Sequence, residues 1–138
     1  MTQQTVGTSR LAQRTAGAVV NANFDELYAQ QLLVEVDNAV VAGSFSVPAG
    51  YVIESIAIFN NTANAITGGL KFGTAAGGTQ VITAQAVGAS ALLVVADSAL
   101  TLRAFSTTAA QIVYFDAVTA WNSADIDIRV SLREMWVQ

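Results

Sequence analysis

The stretch Ile126-Asp127-Ile128-Arg129-Val130-Ser131-Leu132-Arg133 decides the fold class. Apolar and polar residues alternate along its whole length. A period of two puts the isoleucines, Val130 and Leu132 on one face of an extended strand, and the charged and hydroxyl groups on the other. A helix would scatter the same residues around its circumference. The chain therefore contains at least one strand buried on a single face.

Working outward, the runs at 32–36, 44–47, 52–59, 66–72, 80–84, 91–95, 100–105 and 111–118 carry similar, less regular patterns. Turn signals separate them: Val47-Pro48-Ala49-Gly50, Asn60-Asn61-Thr62-Ala63-Asn64, Ala75-Ala76-Gly77-Gly78 and Trp121-Asn122-Ser123. Eight or nine short strands at a spacing of about ten residues predict an antiparallel β-sandwich. A jelly-roll-like order, with non-sequential strands in contact, is the expected topology. No solenoid-like repeat is present, and the glycine-rich stretch 73–79 reads as a turn.

The first thirty or so residues have a different texture. Over 16–31, Val20, Phe24, Leu27, Tyr28 and Gln31 fall at helical spacing and form one narrow face with a polar end. Asn23 with Glu26 resembles a capping box, which would instead start the helix at Phe24. Residues 1–31 are thus expected to be an arm and helix, and 32–138 a β-sandwich domain. Arg10 and Arg14 give 1–24 a charge of +2, so that with a net charge of −4 the remainder carries −6. This asymmetry suits an arm that docks on an acidic neighbour, and equally an exposed leader.

The composition narrows the function. Only 12% of the residues are charged and 53% are hydrophobic, against about 25% charge in ordinary soluble domains. A monomer of this size has roughly 6,800 Å² of surface, or about one charge per 430 Å². A surface so poor in charge belongs to a small-residue exterior, or to a subunit buried against partners. The net charge of −4 argues against nucleic-acid binding. The long charge-free run between Lys71 and Asp97 is broken by Gly73, Gly77, Gly78, Gln80, Thr83, Gln85 and Gly88, so no membrane-spanning helix is expected. Met1-Thr2-Gln3-Gln4-Thr5 lacks the features of a signal peptide.

Catalytic chemistry is poorly supported. With no cysteine and no histidine, thiol chemistry, thiolate metal sites and the usual general base are absent. The many serines have no activating partner besides Lys71, the single lysine. Glu54 and Asp116 would resemble a glycosidase pair only if their strands were adjacent. Asp125 and Asp127, with Asn122 and Asp116, lack the spacing of a calcium loop. Neither a catalytic residue, a metal ligand nor a cofactor is assigned. Trp121 and Trp136, with Tyr51, Tyr114 and Phe115 nearby in composition, are candidates for a subunit interface or a glycan platform.

The segment Thr15-Ala16-Gly17-Ala18-Val19-Val20-Asn21-Ala22-Asn23-Phe24-Asp25-Glu26-Leu27-Tyr28-Ala29 resembles an element of tailed-bacteriophage virion proteins, an N-x-N-F-x-E-L-Y helix near the N-terminus. Val47-Pro48-Ala49-Gly50-Tyr51-Val52-Ile53-Glu54-Ser55-Ile56 and Leu70-Lys71-Phe72-Gly73-Thr74-Ala75 are similar to turn and strand patterns of phage β-sandwich proteins. The resemblance implies a non-enzymatic virion structural protein at the particle surface, made in the bacterial cytoplasm. It implies a homo-oligomer, a trimer, of head-fibre or decoration type, partnered by capsid, tail or neck proteins. Arg10, Arg14, Val20, Phe24, Leu27 and Tyr28 are its expected attachment or oligomer contacts. The alternative is a receptor- or carbohydrate-binding module of a tail tip or tail fibre.

Overall fold

The structure, a computed structural model, describes residues 31–102 and 104–135. Gln31–Glu134 forms one compact unit. The expected helix therefore lies outside the described residues, except Gln31, which is the first residue of strand β1 and not the end of a helix. Arg10, Arg14, Val20, Phe24, Leu27, Tyr28 and Trp136 also lie outside the described residues.

Eight strands follow in order: β1 (Gln31–Ala39), β2 (Gly43–Val47), β3 (Tyr51–Asn60), β4 (Ile66–Gly73), β5 (Ile82–Val87), β6 (Leu92–Ala96), β7 (Gln111–Ala117) and β8 (Ile126–Glu134). They form two four-stranded sheets, ordered β1-β8-β3-β6 and β2-β7-β4-β5, and every pair is antiparallel. First pairs with last, second with seventh, third with sixth and fourth with fifth. This nested order is a long two-stranded ribbon rolled onto itself, which is a jelly roll. The expected β-sandwich is present.

The decisive stretch holds the centre of the first sheet. β8 pairs with β1 on one side and β3 on the other. Ile126, Ile128, Val130 and Leu132 are fully buried, while Asp127, Arg129, Ser131 and Arg133 point outward. Ile53, Ile56 and Ile58 of β3 join them. Phe45, Val47, Leu70, Phe72, Val113 and Phe115 of the second sheet pack opposite. In β3 the register slips between Ile53 and Ser55. Glu54 is the extra residue of a β-bulge, so Ile53 and Ile56 both face inward although three apart. The bulged carboxylate is held by Arg133, whose Nε donates to Oε2 at 2.6 Å, and by the side-chain amide of Gln31.

One expected strand is absent. Residues 100–105 alternate acceptably, but the described residues 100–102 and 104–105 belong to the irregular connection from β6 to β7 behind a short 3₁₀ turn at Asp97–Ala99. Leu100 is buried, and a single bridge joins Ala104 to Val52. Leu100 and Phe105 pack against the core from this connection, which a strand pattern alone does not distinguish from a ladder position. The strand predicted at 80–84 runs from Ile82 to Val87, and Val81 just before it donates its N–H to the Phe72 carbonyl.

The turns follow the chemistry of their residues. Tyr51 N–H closes on the Pro48 carbonyl and Gly78 N–H on that of Ala75, with Gly50 and Gly77 at φ of +82° and +75°, the glycine position of a type II turn. At the end of β3, Asn60 is completely buried and all its side-chain hydrogen-bonding capacity used. Its Nδ2 donates to the carbonyls of Asn64 (2.7 Å) and Gly88 (2.9 Å), and its Oδ1 accepts from the N–H and hydroxyl of Thr62. One amide thus clamps the β3–β4 and β5–β6 connections together. Replacing Asn60 with alanine leaves these groups without partners and is expected to cost about 2–3 kcal/mol, read from the urea midpoint. A loss under about 0.5 kcal/mol would show that water replaces the clamp without penalty.

Candidate interaction surface

The outer face of the β1-β8-β3-β6 sheet is divided in two. Toward β1 and β8 it is mostly polar, with Glu35 opposite Arg129 in register and Arg133 joined to Glu54, and with Leu33 exposed opposite Ser131. Toward β3 and β6 it is apolar. Phe59 stands opposite Leu92, and Ala57 opposite Val94. Phe59, Leu92 and Val94 are 44%, 63% and 58% exposed. Strand alternation explains this: Ile56 and Ile58 occupy the inward phase of β3, so Ala57 and Phe59 must point out. β6 is apolar in both phases, so burying Val95 inward turns Leu92 and Val94 to the outside.

Because Ala57 is small, a groove of about 470 Å³ opens above it, lined by Phe59, Asn61, Leu92, Val94, Asp127 and Arg129. Its walls are apolar on the β6 side and charged on the β8 side. Phe59 lies opposite Asp127 and Ala57 opposite Arg129. One Asp127 oxygen already accepts the Asn38 N–H at 2.9 Å. The arrangement suits burial against a protein surface, with an ion pair at its margin. In the sequence Phe59 is one residue of the apolar run 52–59, and Leu92 and Val94 are marked only by the double-phase apolar run 92–95, which equally describes a strand buried on both faces.

Trp121 begins the β7–β8 turn and is half-buried. Its ring meets Phe115 edge-on, with centroids 6.3 Å apart, and its Nε1–H donates to Asp116 Oδ1 at 3.1 Å. Phe115 in turn contacts Phe72, which contacts Phe45. Asn122 and Ser123 follow with φ of +54° and +60°. The Asn122 amide anchors the turn by donating to the Ala65 carbonyl at 3.0 Å and to the Thr67 hydroxyl. The indole N–H and one ring edge are thus occupied within the domain.

The carboxylates weighed from the sequence are dispersed. Glu54 is on β3 and Asp116 on β7, strands of different sheets, so they do not form a pair. Asp125 precedes β8 and Asp127 belongs to it. Among the described residues no group of three or more acidic side chains is placed to hold a metal ion. No helix of the described residues is long and apolar enough to cross a membrane.

No protein-family model matches the sequence, and no curated protein matches it. A distant structural likeness exists. The chain is similar to one in the solved cyanophage Pam1 capsid asymmetric unit, with 16% identity and a TM-score of 0.46. The similarity spans 92% of this chain and 94% of that one. It is too remote to transfer a role or a residue.

Proposed function

We propose that this protein is a non-enzymatic structural subunit of a tailed-phage virion, a small homo-oligomer of head-fibre or decoration type. The observation that carries the proposal is the row of large apolar side chains, Phe59, Leu92 and Val94, standing exposed on one sheet face. Exposed apolar groups gathered on one face mark an association surface. The sparse charge of the chain agrees with this reading, as does its resemblance to the N-terminal helix of phage virion proteins. In this reading residues 1–31 attach the subunit to a neighbouring virion protein through Phe24, Leu27 and Tyr28, with Arg10 and Arg14 meeting acidic groups. The sandwich domain self-associates, as a trimer on the family resemblance. Its action is passive: apolar burial supplies affinity and the small neutral exterior meets solvent.

Deleting residues 1–30 is the test of attachment. The shortened chain is expected to keep its far-UV strand signature and its cooperative melt, and to be lost from purified particles. Particles that carry the shortened chain at the normal copy number would remove the attachment role. The tail-tip glycan reading instead requires Trp121 or Trp136 to stack on sugar. It expects Trp121→Ala to abolish glycan-array binding by the intact protein.

A further inference from the structure

The groove has a self-complementary order, and we infer that this face docks on the same face of a second copy about a two-fold axis. The inference rests on the self-association proposed above and adds a second surface with two-fold symmetry, which pairs trimers into an even-numbered assembly. Register defines two neighbouring rows across β8, β3 and β6. One row is Asp127, Phe59, Leu92; the next is Arg129, Ala57, Val94. An axis lying across the strands, in the plane of contact and between these rows, sets each row against the other row of the second copy. Asp127 then meets the partner's Arg129, Phe59 enters the space above the partner's Ala57, and Leu92 lies over the partner's Val94. Acid faces base and large faces small, twice over, as an isologous contact requires. An axis along the strands, between β8 and β3, would press both charges onto the partner's apolar column.

The size of the patch agrees. Phe59, Leu92 and Val94 present roughly 300 Å² of apolar surface, while a stable interface takes about 800 Å² from each partner. The three side chains therefore form an apolar centre, and Asp127, Arg129 and Asn61 its polar margin. Two sheets stacked in this way cross at about 30°, which keeps the central rows in contact and separates the outer ones. The stack lies between outer faces, so neither domain core changes.

Light scattering on a sizing column, with the full chain, tests the contact. The wild type is expected as an even-numbered oligomer. Phe59→Glu, Arg129→Asp and Asp127→Arg are each expected to halve its mass. Mixing Arg129→Asp with Asp127→Arg in equal amounts should restore the larger species, because each acidic copy then meets a basic one. An odd-numbered oligomer whose mass none of the three changes would overturn the two-fold face and leave self-association standing. An even-numbered oligomer that Arg129→Asp does not dissociate, or a mixture that stays dissociated, would also overturn the face alone. A wild-type monomer would overturn both readings.

Discussion

Phe72→Ala is expected to lower the stability of the domain by about 4 kcal/mol, a large fraction of the roughly 5–15 kcal/mol that holds a typical domain folded. Phe72 sits on β4 at the middle of the second sheet and is fully buried. Its ring lies between Phe45, at 6.4 Å, and Phe115, at 6.2 Å, both tilted against it. Truncation removes the transfer free energy of the ring together with two aromatic contacts. The cavity cannot collapse easily, because both neighbours belong to strands fixed in the sheet. With a urea m-value of about 2 kcal/mol per molar, the midpoint should fall by about 2 M. Phe72→Leu retains most of the volume and should cost less than half as much. A midpoint shift below about 0.5 M for the alanine variant would mean that the aromatic cluster is loosely packed.

The second large effect is at Gly69. Its φ is +85°, and a Cβ built there lies 2.3 Å from the Gln85 carbonyl oxygen and 2.6 Å from its carbon. Both are backbone atoms of the neighbouring strand β5, so no side chain can swing aside. The same residue accepts the Val118 N–H at 2.9 Å through its carbonyl. Gly69→Ala must either part β4 from β5 or distort that hydrogen bond, and more than about 3 kcal/mol is expected. Gly50 is the control. Its φ of +82° is nearly the same, yet nothing lies within 4 Å of a built Cβ. Gly50→Ala should therefore show only the left-handed backbone cost of about 1–2 kcal/mol. Thermal melts of the two variants side by side decide the matter. Equal drops in Tm would mean that close approach at Gly69 contributes nothing beyond backbone conformation.

The two positions illustrate what a linear pattern can carry. The turn glycines Gly50 and Gly77 were legible from their Pro-x-Gly and Ala-x-Gly neighbours, whereas Gly69 lay unmarked inside the strand run 66–72. That Gly69 faces a carbonyl sixteen residues onward depends on the register between β4 and β5. Asn60 behaves similarly. The run Asn60-Asn61-Thr62-Ala63-Asn64 marks a turn by composition, but only the approach of the Gly88 carbonyl makes the first amide a buried clamp. The connection at 100–105 shows the opposite failure. Its apolar residues Leu100 and Phe105 pack on the core from an irregular connection, and such packing needs the same residue types as pairing in a ladder.

The interaction surface was less legible than the fold. The apolar deficit of charge indicated buried or partnered surface without locating it. Phe59 reads from the sequence as one more residue of a hydrophobic run, and its exposure follows from the inward phase set by Ile56 and Ile58 across from β8. Glu54 and Asp116 could be paired on paper because nothing local records which sheet a strand joins. Trp121, open to several roles from sequence, has its indole N–H committed to Asp116 by the fold of the β7–β8 turn.

By itself the sequence determined the class of structure, since alternation at 126–133 and the turn residues between runs are local consequences of side-chain size and backbone freedom. It also determined the absence of cysteine and histidine chemistry, which is a matter of composition. Tertiary structure decided the nesting of first strand with last, the bulge that turns Ile53 and Ile56 inward together, and the gathering of Phe59, Leu92, Val94, Asp127 and Arg129 around one groove. Strand pairing is a long-range choice, settled by which faces bury together. A period of two states that each strand has an inside; only the assembled sheets state what lies across from it.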